Sequence, residues 1–409
     1  VQLFDDLEDF GSFDDAVSGD VRDPYTELAQ RRREGAVQKL DLSGMPMADE
    51  AKPIFMVYGY DEVAELLRDN ETFSSSIILA VFGDVLGKKV MLGMDEPEHR
   101  RLRALLSGAF TQRAIARRQH DLVEPVADAL IDRFADRGRA ELTREFTFPF
   151  PTQIIANLLG LPPEDYPQFQ RWSISILAFT VNRERALAAS EALREYFTPI
   201  LAARRAEPRD DLISSLAHAD IDGEKLDDEE IFSFLRLLLP AGIETTYRST
   251  GNLLFGLLSN PDQLEAVRAD RSLIPQAIEE AVRWEPPLLT ITRVATRDST
   301  LGGQSIPAGS TVMPYLGAAN RDERRWKDPD RFDIFRPAKP HIGYGHGVHV
   351  CLGMHLARLE MSVALSRLFD RLPNLRLDPG GDDPHIRGQV FRSPTSLPVR
   401  FETGGEAVS

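Results

Sequence analysis

Apolar residues recur three and four apart over most of the middle of the chain. The stretches "RLRALLSGAF" (101–110), "DLVEPVADALIDRFADRG" (121–138) and "SEALREYFTPILAARRAE" (190–207) all show this spacing, which predicts amphipathic helices. The longest such pattern runs from about Asp228 to Ser259. Asp227 with Glu230 makes a capping-box signal before it, and Asn260-Pro261 closes it. Nearer the start, "DPYTELAQRRREG" (23–35) reads as a helix opened by Asp23-Pro24 and ended by Gly35, and the β-like "PIFMVYGY" (53–60) leads into the helix "DEVAELLRD" (61–69). "TFSSSIILAVFGDVLGKKVMLGMDEPEH" (72–99) has neither period. It reads as an irregular segment of more than twenty residues, a length that usually marks a lid or disorder. After residue 290 the pattern shortens to β-branched pieces, "TITRVATRDSTLGGQSIPAGSTVMPY", which predict strands and hairpins. A last helix is predicted from near Cys351 to about Leu372. There are no internal repeats and no Gly/Ser- or Pro-rich linker. The expectation is a mainly α (α+β) protein, a large helical part with a small β-rich part, forming a single domain over 21–409 behind an acidic tail at 1–20.

Charge narrows the function. With 48 Lys+Arg against 64 Asp+Glu the net charge is −16, which argues against a nucleic-acid or anionic-membrane binder. The longest uncharged apolar run, about Thr72–Gly83, is too short for the ~20 residues of a membrane helix. The N-terminus is acidic, without a secretory pattern. One cysteine excludes an internal disulfide framework and fits a reducing cytoplasm.

That cysteine, Cys351, stands in "GYGHGVHVCLG" (343–353), ahead of Leu352, Leu356, Leu359 and Val363 at helical spacing. Unpaired N–H groups and the macrodipole at a helix start favour thiolate, the metal-binding form. Gly345 and Gly347 permit turns with φ > 0, and Gly353 removes a side chain beside the sulfur, so that something flat can approach. Three readings stand: a small buried hydrophobe, a zinc ligand helped by His341, His346, His349 and His355, or a haem thiolate.

Here the chain resembles a family. "YGHGVHVCLG" is similar to the haem-binding signature of the cytochromes P450, with Tyr344 in place of the usual phenylalanine. "LLLPAGIETT" (237–246) resembles the family's Ala-Gly-x-Glu/Asp-Thr motif, although Pro240 is not a usual part of it and a tolerated kink with Thr245 bonded to a carbonyl is the plainer reading. "EEAVRWEPP" (279–287) matches Glu-x-x-Arg at Glu280 and Arg283, a structural pair whose network Arg331 or Arg336 would complete. Between His99 and His120 lie six arginines and no acid, and "EPEHRRLR" resembles the Glu-His-x-x-x-Arg segment.

The resemblance implies a soluble bacterial-type cytochrome P450 fold and a monooxygenase that hydroxylates or epoxidises with one atom of O2. Haem b would be bound by Cys351 through iron, with His99, Arg103, Arg293 and His349 on its propionates. Ala241, Gly345, Gly353 and Tyr344 would stand around it. Thr245 would hydrogen-bond the dioxygen and Glu244 would relay protons. The remaining arginines would suit an acidic ferredoxin, supplied by its reductase, since no flavin or iron–sulfur segment follows. The protein would be a cytoplasmic monomer, with neither nucleic acid nor membrane as partner. A mid-sized apolar substrate would meet Leu237, Leu238, Leu289, Ile291 and Phe391, within pocket segments that include 73–92 and 169–187. Arg392 reads as a surface arginine, with a substrate carboxylate as the other option. Peroxide-driven peroxygenase chemistry or haem sensing are the rival functions.

Overall fold

The computed structural model describes residues 19–41, 52–177, 179 and 182–403. The acidic tail lies outside them save for Gly19 and Asp20, as do part of the expected pocket segment around 178–181 and the last residues of the chain. The helices that frame the site are α1 (Tyr25–Glu34), α2 (Tyr60–Arg68), α3 (Ile77–Leu86), α4 (Glu98–Ser107), α5 (Arg183–Ala206), α6 (Asp228–Leu239), α7 (Thr245–Leu258), α8 (Ile274–Trp284) and α9 (Met354–Arg371). None among the described residues is long and apolar enough to cross a membrane.

Strands β1 (Val37–Lys39), β2 (Ile54–Val57), β3 (Phe73–Ser74), β4 (Arg293–Ala295) and β5 (Thr311–Pro314) make one sheet in the order β1-β2-β5-β4-β3, with β2 and β5 parallel. Alternation in β2 buries Phe55 and Val57, and these join Val37, Ala295 and Val312 against Val63, Leu66 and Leu67 of α2. A small hairpin, β6 (Ile386–Arg387) and β7 (Ser393–Pro394), packs on α7.

The segment at 72–99 is not irregular throughout, as its pattern suggested. It contains the ten-residue α3 and a short 3-10 turn at Met91–Gly93. "IILAVFGDVL" is apolar on nearly every side, so no stripe is legible in the sequence; contact with α5 and α6 selects the helix. Ser190 Oγ donates to the Val85 carbonyl (2.6 Å), Arg183 meets Asp84 (2.6 Å), and the Phe82 and Phe179 rings lie 4.3 Å apart.

The long central helix starts at the expected capping box, both Asp227 and Glu230 side chains accepting reciprocal N–H bonds of 2.9 Å. It is not continuous. Pro240 has no N–H to give, and Pro240–Glu244 form a π-helical turn between α6 and α7. Behind α7 lie α8 and α9. Here Arg283 grips Glu280 through two bonds (2.7 and 2.8 Å) and donates to the carbonyls of Asn320 and Pro329. Arg336 Nε also reaches Glu280 (3.4 Å), whereas Arg331 offers only its carbonyl, so Arg336 completes the network. The pair is almost wholly buried, not a surface ornament.

Candidate active site

The loop before α9 is shaped by two left-handed glycines, Gly345 (φ +76°) and Gly347 (φ +71°). A Cβ on Gly347 would come within 2.1 Å of the Leu67 carbonyl oxygen, so only glycine lets the loop run against the end of α2. Cys351 N–H donates to the Tyr344 carbonyl (2.8 Å) and closes the loop. The helix itself begins at Met354, three residues later than the pattern suggested, with Gly353 as its N-cap. The N–H groups of Gly353 and Met354 are nevertheless aimed at the sulfur.

Burial pushes the Cys351 thiol up; those N–H groups and the guanidiniums of Arg103 and Arg358 offset only part of this. The helix tip does not by itself hold the thiolate, contrary to the expectation from sequence. A coordinated cation would, because a metal-bound thiol is deprotonated outright. Although enclosed by protein, Cys351 is exposed, and a Cβ on Gly353 would meet nothing within 4 Å. An exposed residue so enclosed borders open space.

Basic side chains from three segments gather beside it. His99 on α4 and His349 have ring centroids 4.0 Å apart, and the Nε2 atoms of both are buried without a hydrogen-bond partner. Arg103 donates to the Val350 carbonyl (2.7 Å), and the buried Arg293 to the Thr292 carbonyl (2.8 Å). Burial, then the charges of His99, Arg293 and Arg103, depress His349 to about 3; burial lowers Arg293 to about 10, with Asp95 opposing. The buried Arg293 guanidinium and the two unpartnered imidazole Nε2 atoms are costly unless anionic groups complete them. Two carboxylates beside a flat group over an open sulfur are what these residues lack, and a haem fits. Zinc does not: among the described residues no three His, Cys, Asp or Glu side chains converge on one point, and His341 is held by Glu279 (3.2 Å).

Tyr344 stands under Arg358, the guanidinium 4.5 Å from its ring. Its buried hydroxyl has no hydrogen-bond partner, the sulfur included, and burial holds it as a phenol. On the central helix, Ala241 is exposed and Thr245 half-exposed, while Ile243, Glu244 and Thr246 beside them are buried. Thr245 Oγ1 donates to the Ala241 carbonyl (2.6 Å), the back-bond expected of a kinked helix. Glu244 is turned the other way. It is 1% exposed, takes Arg248 Nε at 2.6 Å and accepts from the Tyr247 hydroxyl (3.3 Å). The pair that the motif joins in sequence is thus parted in space.

The five expected pocket residues divide. Leu237 and Leu238 are buried in the main core, and Ile291 packs on the sheet cluster. Leu289 does not face a pocket: it is 2% exposed and packs on Tyr25, Leu28, Tyr58 and Ala318. Its neighbour Leu288, not named from sequence, is half-exposed and bridges to Phe391, itself half-exposed and in no core cluster. The period of two at 288–291 could have signalled this. Phe82 and Phe179 lie in the expected segments, but sequence did not pair them. Arg392 is neither a surface residue nor open to a ligand. It is 1% exposed, bonds Glu285 (2.8 Å) and donates to the carbonyls of Val21 and Arg22. The arginine run is partly spent as well: Arg101 meets Glu230 and Arg118 meets Asp210, while Arg113 and Arg117 remain exposed.

A family model for cytochrome P450 matches residues 164–399. Cytochrome P450 107B1 of Saccharopolyspora erythraea is 38% identical over 97% of this chain and 98% of its own length. The chain belongs to the cytochrome P450 family. A vitamin D(3) 25-hydroxylase of Pseudonocardia autotrophica is 37% identical over 92% of this chain and 94% of its own. The solved structure of cytochrome P450 CYP109Q5 from Chondromyces apiculatus superimposes with a TM-score of 0.85 at 37% identity, covering 94% of this chain and 97% of that one. A haem-iron cofactor, oxygenase chemistry, a small-molecule substrate and redox partners come with membership of this P450 family.

Proposed function

We propose that the protein is a monooxygenase that inserts one oxygen atom from O2 into a mid-sized apolar substrate, drawing electrons from a ferredoxin and its reductase in the cytoplasm. The observation that carries this is the open sulfur of Cys351 beside two arginines and two histidines whose Nε2 atoms have no partner. Cys351 would ligate the iron of haem b; His99, Arg103, Arg293 and His349 would hold its carboxylates; Ala241, Gly345, Gly353 and Tyr344 would bound the ring. The haem, when bound, supplies the oxygen-activating chemistry. Thr245 contributes a proton-carrying oxygen in the one widened turn of the central helix. By releasing the Ala241 carbonyl, Oγ1 can donate to a reactant and take a proton from behind it. Glu244 serves as the acid behind Thr245 once it leaves Arg248.

Several features support an apolar substrate. Leu288, Phe391, Phe82 and Phe179 are apolar and not fully buried, and Arg392 is committed to Glu285 and cannot pair a substrate carboxylate. A relative whose name gives vitamin D(3) as substrate is consistent with a ligand of that size and polarity. Exposed Arg113 and Arg117 suit an acidic electron donor. The test is turnover with a reconstituted ferredoxin system against turnover with hydrogen peroxide, after screening neutral terpenoids, steroids and macrolides for a Soret shift. Product from peroxide alone would replace the monooxygenase with a peroxygenase, and Soret shifts from strongly polar compounds only would remove the apolar substrate.

A further inference from the structure

Arg248 is the most deeply buried arginine of the central helix, at 0% exposure, and the reaction as described above names it only as the group that Glu244 must leave. Its Nε and Nη2 hold Glu244 Oε1 (2.6 and 2.5 Å), and Nη1 donates to Ser393 Oγ (3.0 Å) on β7. Its flat face lies 5.6 Å from the Phe391 ring and 5.0 Å from that of Tyr247. Ser393 and Phe391 belong to one hairpin, which is pinned again one turn along α7, where Asn252 Nδ2 donates to the Arg392 carbonyl (3.1 Å). The half-exposed side chain of this assembly is Phe391, which bridges Leu288.

We propose that Arg248 is a positioning residue that couples ligand contact at Phe391 to the release of Glu244. The inference rests on the monooxygenase reading. With Phe391 undisturbed, the guanidinium holds the Glu244 carboxylate in the core, away from the Thr245 opening. A buried ion pair persists only while its geometry is good. A ligand that shifts Phe391 moves the aromatic face and, through the hairpin, the Ser393 acceptor, so the pair weakens. Glu244 then takes up a proton and can turn toward Thr245. Because coupling is reciprocal, loss of the pair also alters affinity for ligands that reach Phe391. Proton delivery is thereby withheld until the pocket is filled.

The test is infrared difference spectroscopy of the haem-loaded protein with clotrimazole, a bulky apolar azole, and with imidazole as the small control. Clotrimazole should give a protonated-carboxyl band that is lost in Glu244→Gln, and imidazole should not. In Arg248→Gln the band should be present without ligand, and Arg248→Lys should restore its dependence on clotrimazole. Ser393→Ala, which leaves the ion pair buried, should show part of the band without ligand and covers the case in which Arg248 variants do not fold. A wild-type difference spectrum with no Glu244 band, or an Arg248→Gln spectrum identical to wild type, overturns the coupling. Absence of a thiolate-type carbon monoxide spectrum in the wild-type protein would instead overturn the haem-thiolate reading, and the infrared bands do not depend on it.

Discussion

At Cys351 two forces act on one proton: burial keeps it on the sulfur, while two N–H groups, Arg103 and Arg358 draw it off. Under the proposed function, iron would decide the contest. Cys351→Ser is therefore expected to abolish the thiolate-type carbon monoxide difference spectrum, and an unchanged spectrum would end the ligand assignment. Thr245 makes a single hydrogen bond, to Ala241, within its own helix. Thr245→Ala should leave haem binding intact and divert reducing equivalents to peroxide, read as peroxide formed per reductant consumed. Glu280 and Arg283 show why residue type alone misleads. Three apart on a helix they would contribute ~0.2–0.5 kcal/mol at a surface. Buried, with Arg336 and three carbonyls around them, removal of one partner costs about 3–5 kcal/mol, because the other charge is left uncompensated. Glu280→Gln should lower the denaturant midpoint by a corresponding amount.

Among elements, the central helix and the cysteine loop carry the site through local irregularities. Pro240 opens a π turn that exposes Ala241 and Thr245 while the same turn buries Glu244, so one short stretch presents its alcohol and conceals its acid. Gly347→Ala should prevent the cysteine loop from seating on α2, since a left-handed backbone and a 2.1 Å approach to Leu67 both resist a Cβ; haem incorporation should be lost. Helices α8 and α9 are joined by Glu279, which accepts from His341 and, twice, from Arg358 (2.7 and 2.9 Å). Burial would raise this carboxyl, but those partners outweigh it and set it at about 2. A depressed carboxyl contributes stability above its unfolded pKa of ~4.3, and the contribution disappears as pH falls toward 2. Glu279→Gln should flatten acid unfolding in that window, measured as melting temperature against pH.

For the whole molecule, the proposed cofactor would tie distant parts of the fold together. His99, Arg103, Arg293 and His349 come from three distant segments, and their guanidiniums and unpartnered imidazole nitrogens would be completed by its anionic groups. Reconstitution with haem dimethyl ester, which lacks free carboxylates, should raise the melting temperature less than protoporphyrin haem does. Much of this was legible early. Helical spacing located most helices, the capping box and Gly35 marked ends, and short motifs singled out Cys351, Thr245 and the Glu280–Arg283 pair, because these depend on neighbours within a few residues. Segment 72–99 was not legible as a helix, since an apolar stretch acquires a face only when α5 and α6 lie against it. Nor were the burial of Arg392 in a bond to Glu285, the choice of Arg336 over Arg331, or the turning of Leu289 into the core, which depend on partners scores to hundreds of residues away. By itself the chain determined most of its helices, the glycine turns of its cysteine loop and the atom proposed to bind metal, all consequences of local stereochemistry. Which charges meet, which side chains face the cavity and which way Glu244 points were decided only by tertiary structure, because burial and electrostatic partnership are properties of the packed chain.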